Sequence, residues 1–286
     1  MKGIMRSCPA SVLETLPTPE AMAQDAEAVS LFGVDYLRFK TSDRGELYLT
    51  RFGVPLRKQL DPENWYAQDW FAMSGKRLPG TSAIYRVPTK PVRGVSLDLV
   101  VRFSRVGQEV LLDAVTLCKY PHAEFNSPFE EFALVMDLRA ARPRLLRPRI
   151  FTKKPLAIFV PGERLQSWQT GRLESKIAAK LAQHPEIELD ILRRYILLYG
   201  WIEQMNAVEA ADALRLTGDR RGTFLAQTTR GAVHDLELHG FRMLDIKPEH
   251  IVVRLRPDGS LLRRRSGQLA YALVDYELLE RVRETD

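Results

Sequence analysis

The stretch 239–277, HGFRMLDIKPEHIVVRLRPDGSLLRRRSGQLAYALVDYE, constrains this chain more than any other. Asp245, Lys247, Pro248 and His250 form a D-x-K-P-x-H run that leads into the strand-like IVVRL. A Pro-Asp-Gly turn follows, and a second apolar run, 271–274, ends in Asp275. Apolar runs on either side of a turn read as a hairpin, which puts Asp245 and Asp275 at the same end of a small sheet. Two carboxylates beside a lysine supply hard oxygen ligands for Mg²⁺ and a cation for the oxygens of a transferring phosphoryl group. The bland counterpart is a hairpin with solvated charges, and the rest of the chain has to decide between them.

Composition narrows the class. A 286-residue chain with 45% hydrophobic and 27% charged residues is long enough for one large or two modest globular domains. No apolar run approaches the ~20 residues of a membrane-crossing helix, and the N-terminal MKGIMRSCPA lacks the apolar core of a secretory signal. With only Cys8 and Cys118 there is neither a disulfide framework nor a metal-ligand spacing, so a reducing, cytoplasmic setting is expected. The net charge of +6 permits an anionic partner. Its densest run, Arg263-Arg264-Arg265, lies at a hairpin tip with no interleaved aromatic residues, which argues against nucleic acid as the partner.

In chain order, residues 19–29 suggest a short helix. The run 34–54 then reads as an N-terminal hairpin turning at Ser42-Asp43-Arg44-Gly45. From Trp65, three strands are expected: WYAQDWFAMSG, SAIYRVPT and SLDLVVRFSR. Ser127, Pro128, Glu130 and Glu131 open a strong helix, with an N-cap, a proline at N1 and acidic residues in the first turn. RPRIFTKKPLAIFVPGERL gives two strands and a break at Pro161-Gly162. The chain from 165 to about 216 reads as helical, and a further helix closed by Gly240 delivers it into Asp245.

This order, together with D-x-K-P and the second Asp, resembles the protein-kinase-like superfamily over roughly residues 65–280. The resemblance implies an α+β, two-lobe fold with an antiparallel β N-lobe and a reduced, mainly helical C-lobe. The divisions expected are a 1–64 extension, a 65–162 N-lobe and a 163–286 C-lobe. ATP and a divalent metal, Mg²⁺ or Mn²⁺, are the implied cofactors. Asp245 and Lys247 take the roles of base and phosphate-contacting lysine, and Asp275 and His250 those of metal ligands. The phosphate-anchoring lysine position falls on Arg102, whose helix partner is Glu130 or Glu131. Gly75 and Gly80 are what remains of the glycine-rich turn, and the hinge falls at Val160 and the residues after it.

Departures from the family are plain in the same residues. Met243-Leu244 replace His-Arg, His250 replaces Asn, Tyr276-Glu277 replace Phe-Gly, and Arg102 replaces Lys. The eleven residues after Asp275 suit a short helix and leave no peptide-binding platform. The expected activity is therefore phosphotransfer from ATP to a non-peptide or unknown acceptor. The alternative is a pseudokinase serving as a nucleotide-binding or protein-interaction module.

Overall fold

The computed structural model describes residues 26–282 other than 81, 112–113 and 142–148. Its strands in chain order are β1 (Ala26–Leu31), β2 (Val34–Lys40), β3 (Glu46–Leu49), β4 (Lys76–Arg77), β5 (Ile84–Pro88), β6 (Asp98–Phe103), β7 (Phe151–Thr152), β8 (Pro155–Val160) and β9 (Ile196–Gly200). β10 (Met205–Asn206), β11 (Phe241–Met243), β12 (Ile251–Val253), β13 (Tyr271–Leu273) and β14 (Leu279–Arg281) follow. The architecture is α+β. An eight-stranded antiparallel sheet runs in the order β1-β2-β3-β8-β9-β6-β5-β4, beside a smaller sheet β10-β12-β13-β7 and the pair β11-β14.

Period-two alternation divides the large sheet into two buried faces. Leu99 and Val101 of β6, Ile196 and Leu198 of β9, and Ala157 and Phe159 of β8 share one face with Leu60 and Trp65. Val100, Leu197, Tyr199, Ile158 and Val160 occupy the other, against Phe132, Val135 and Leu138 of the Pro128–Ala140 helix. That helix starts as its residues require. Ser127 accepts from the Glu130 N–H at 3.2 Å, and Glu130 accepts from the Ser127 N–H at 3.1 Å, a complete capping box with Pro128 in the first turn.

Several expectations are corrected. The 34–54 hairpin does not precede the main fold: β3 pairs with β8, so β1–β3 extend the same sheet. The segment 65–75 is not a strand. Trp65 is fully buried, with its indole N–H on the Leu60 carbonyl at 3.0 Å, and Gln68–Ser74 is a helix. The run contains no β-branched residue and several good helix formers, so local propensity agrees with the helix. The run 195–200 is not helical but forms β9 at the centre of the sheet, between β8 and β6, so the sheet crosses the division drawn at 162. Residues 26–29 belong to β1 rather than to a helix, and 19–25 lie outside the described residues. After Asp275 the chain forms β14, paired with β11, and not a terminal helix.

Close approach of backbones fixes one glycine. A Cβ on Gly53 would lie 2.1 Å from the Leu156 carbonyl oxygen, at the turn that carries the chain from β3 to the outer face. Among the described residues no helix is long and apolar enough to cross a membrane.

Candidate functional site

Register places the central charges. In β6, Arg102 alternates with Val101 and faces the Pro128–Ala140 helix, opposite Leu197 of β9 and Ile84 of β5. A guanidinium on that face is surrounded by core and needs carboxylates. Glu131 supplies one. It lies on the helix stripe 128/131/132/135/138, is 1% exposed, and is bound by Arg102 and by the Tyr199 hydroxyl. Glu130 instead faces Lys180, at 3.1 Å, and closes the cap. Of the two glutamates it is Glu131 that meets Arg102.

The smaller sheet delivers the other half. β12 and β13 pair with Ile251 opposite Leu273, which sets His250 opposite Val274, and the Val274 N–H reaches the His250 carbonyl at 3.1 Å. Asp275 follows at once, with its Oδ2 3.5 Å from His250 Nε2 and its Oδ1 3.7 Å from Arg102. Tyr276 anchors the turn. Its buried ring lies 5.6 Å from that of Tyr199, and its hydroxyl accepts from the Lys153 N–H at 2.8 Å. Asn126 clamps the same backbone by donating to the Tyr276 and Leu279 carbonyls at 3.2 and 2.8 Å. Glu277 then turns inward, with its Oε1 2.8 Å from Arg102 and its Oε2 3.7 Å from Arg105.

The result is a buried cluster in which Arg102 meets Glu131, Glu277 and Asp275. Exposure separates their roles: the side chains of Glu131 and Glu277 are 2% and 9% exposed, that of Asp275 27%. Asp275 is the carboxylate of the cluster that reaches the surface. Burial pushes its acidity down, but His250, Arg102, the Glu277 N–H and Lys153 more than compensate and hold its pKa below the usual carboxylate range. Burial and the neighbouring Asp275 raise Glu277, against the pull of Arg102. The Lys153 amine, buried and donating to the Val274 carbonyl at 2.7 Å, is brought down to about 7, because burial outweighs the attraction of Asp275.

Asp245 stands nearby on a connected backbone. β11 pairs with β14, and the Leu244 N–H donates to the Leu278 carbonyl at 3.1 Å, which lays the start of the 244–250 loop along the segment after Asp275. Its side chain is paired with Lys247 at 2.8 Å near the surface, and the two aspartates share no partner side chain among the described residues. The sequence thus brings Arg102, Glu131, Asp275 and His250 into contact and leaves Asp245 with Lys247 at the rim.

Gly75, Gly80 and Val160 fare differently. Gly75 caps the Gln68–Ser74 helix, while Gly80, at φ +136°, lies in the turn between β4 and β5. From that turn the Ser82 hydroxyl touches Arg105 at 3.3 Å and also reaches Glu277. Val160 is 3% exposed and paired with Glu46 inside the sheet, so its backbone cannot serve as a hinge. The chain leaves the large sheet twice: after β8 into the Ser167–Thr170 and Glu174–Gln183 helices, and after β9, through 200–204, toward the Ala207–Ala213 and Gly218–Leu238 helices.

Sequence reading missed Glu277, Lys153 and Tyr199. Glu277 was visible as the acidic replacement for a glycine. The choice between Glu130 and Glu131 was open in the sequence, and the signal that separates them is the helix stripe of Glu131, where a lone carboxylate at a core position demands a cation.

As a metal centre the donor set is small. Asp275 and His250 offer one oxygen and one nitrogen, and among the described residues no group of three or more His, Cys, Asp or Glu is placed to hold an ion. Asp275 alone is the oxygen donor Mg²⁺ favours, one carboxylate with the remaining ligands from water and phosphate, whereas the His250 nitrogen suits Mn²⁺ or Zn²⁺ better. Comparison with models of known protein families and with curated proteins finds no match for this chain.

Proposed function

We propose that the chain is a divergent phosphotransferase of kinase-like architecture, acting from ATP on a non-peptide acceptor. The observation that carries the reading is the convergence of Arg102, Glu131 and Asp275 from a central strand, the helix that follows it and a hairpin 173 positions later. The order of elements supports it. Strands lead to a helix, then to β8 and β9 with the Ser167–Thr170 and Glu174–Gln183 helices inserted between them, an exit at 200–204, the Ala207–Ala213 and Gly218–Leu238 helices, the 244–250 loop and a hairpin ending in Asp275. In this reading the hinge is 200–204 rather than the residues after Val160.

Each side chain then has a task. Arg102, fixed by Glu131, turns its enclosed NH1 toward Asp275 and sets the charge of that carboxylate from behind. Asp275 and His250 would hold the divalent ion, which supplies charge neutralisation to the phosphate oxygens. Lys247 neutralises the phosphoryl group in transit. Asp245 accepts the acceptor hydroxyl's proton as that oxygen bonds to the γ-phosphorus and the bond to the β-bridging oxygen breaks, releasing ADP.

A specific contact favours a second reading, the pseudokinase. Glu277 occupies Arg102 at 2.8 Å, and Arg86 lies 4.6 Å over the Trp201 ring at the strand exit. In that reading Glu277 takes up the guanidinium, and Arg86 one face of the ring, that a nucleotide would otherwise engage. A thermal-shift titration with ATP and ADP, with Mg²⁺, Mn²⁺ or no metal, separates the readings. Ligand at a hundred times its Kd stabilises by about 2.7 kcal/mol. At about 2 °C per kcal/mol for a chain this long, the Tm should rise roughly 5 °C. The rise should need metal and vanish in Asp275→Asn. No shift under any metal sinks the phosphotransferase and leaves the pseudokinase.

A further inference from the structure

A cavity of about 830 Å³ lies where the start of β6, β7, the strand exit at 200–204 and the β12–β13 hairpin meet. None of Arg102, Glu131, Asp275 or Glu277 lines it. Its size falls in the roughly 300–1,000 Å³ range of small-molecule sites. The walls are mainly apolar, with Leu56, Leu97, Ile202, Val252 and Leu262 among them, and the Trp201 ring on one side.

The charges around it do not balance locally. Asp98 and Glu203 line the cavity, but both are engaged by Arg86, at 2.7 and 3.1 Å. The cationic lining residues are Arg139, Lys154 and Arg254, and none of the three meets a carboxylate within ion-pair distance among the described residues. Arg139 is the sharpest case. Its guanidinium is half-buried, NH1 donates to the Thr152 carbonyl and hydroxyl at 2.7 and 2.9 Å, and its Nε is buried with no partner. Arg51 and Arg139 stack on the same Phe52 ring, at 5.0 and 5.1 Å, and Arg149 lies 5.2 Å over Phe151, a lining residue. Like charges gathered beside a buried guanidinium cost stability unless an anion joins them. Phe151 is 46% exposed at β7, a large apolar surface beside that charge.

We propose that this cavity binds a small amphipathic anion, an aliphatic or aromatic body ending in a carboxylate or phosphate. The apolar body lies against Trp201, Leu97 and Val252, and the anionic head meets Arg139, Lys154 and Arg254. With NH1 held by Thr152 and Nε enclosed, Arg139 offers its remaining NH2 to the head group as one charge-assisted hydrogen bond. The cavity shares the 200–204 exit with the hinge of the proposed function, while none of the Arg102 cluster lines it.

The test titrates the full chain with decanoate, decyl phosphate and decanol below their micelle or solubility limits. Intrinsic tryptophan fluorescence is read alongside calorimetry. Saturable one-site binding of at least one anion is expected, with the fluorescence change lost in Trp201→Phe. Decanol should bind at least tenfold more weakly. The tighter of carboxylate and phosphate identifies the head group. The titration is repeated with ATP present: decanoate bound without competition keeps the two sites distinct, and its displacement by ATP would overturn a separate site. Lys154 and Arg254 are exposed, so Lys154→Met and Arg254→Met should fold normally, weaken the anion severalfold and leave decanol unchanged. Equal binding of decanol and decanoate, indifference to both lysine and arginine changes, or no saturable binding of either anion would overturn the proposal.

Discussion

Replacing Arg102 with methionine keeps the volume and apolar stem of the side chain and removes its charge. Three carboxylates then face one another, Glu131 at 2% and Glu277 at 9% side-chain exposure and Asp275 at 27%. Removing one partner of a buried pair leaves an uncompensated charge and costs about 3–5 kcal/mol. The upper half of that range applies, because Glu131 keeps only the Tyr199 hydroxyl while Glu277 keeps Arg105 at 3.7 Å. At about 2 °C per kcal/mol the Tm should fall by roughly 8–10 °C. Urea titration at pH 7.5, monitored by circular dichroism, reads the loss directly as a lower midpoint. The pH dependence gives a second, independent sign. Without Arg102 the buried carboxylates have raised folded-state pKa values, so the folded chain binds protons more tightly than the unfolded one. The deficit of Arg102→Met should therefore shrink as pH falls from 7.5 to 5.5. Adding Glu131→Gln should restore part of the loss, since the orphaned charge goes with it. A loss under 1 kcal/mol, the same at both pH values, would show that the cluster is solvated and refute the reasoning.

Lys153 provides an opposite dependence. A lysine whose folded pKa is lowered to about 7 costs stability below that pH, and the cost is relieved as pH rises from about 7 toward the unfolded value near 10.5. Wild-type stability from this group should climb over that window, and Lys153→Met should flatten the climb; an unchanged profile assigns it elsewhere. Ser127→Ala removes a complete capping box from the helix that carries Glu131, so equilibrium unfolding should report a loss of about 1 kcal/mol. Gly53→Ala places a Cβ 2.1 Å from the Leu156 carbonyl, and a loss of roughly 1–3 kcal/mol is expected. A Gly53→Ala chain as stable as the parent would show that the turn can open there.

What was legible in the sequence divides along a physical line. Local signals read well. Ser127-Pro128-Phe129-Glu130 specifies its own helix start, the turns at Gly259 and Gly267 close the 255/261 and 263/269 bridges between β12 and β13, and the β12–β13 register sets His250 beside Asp275. Signals that depend on partners read badly. Tyr195, Ile196, Leu197, Leu198 and Tyr199 form a run buried on both faces, and a continuous apolar run has no period to tell strand from helix. It followed a helical stretch and was read as its continuation, although its aromatic ends and β-branched Ile196 favour a strand. That one reassignment adds a second exit from the sheet, at 200–204, to the one after Val160. It also brings Tyr199 to Glu131 and gives the Arg102 strand β9 as its neighbour opposite β5. Glu277 shows the same limit. As a replacement for a small, chargeless residue it reads as loss of function, yet its carboxylate lies 2.8 Å from Arg102 and helps neutralise the only fully buried guanidinium of the cluster. A buried arginine between two glutamates is costly to assemble, and chains that need only a packed core use apolar residues there. Its presence here, with the more exposed Asp275 at its edge, is the strongest physical argument that the cluster is kept for something other than stability.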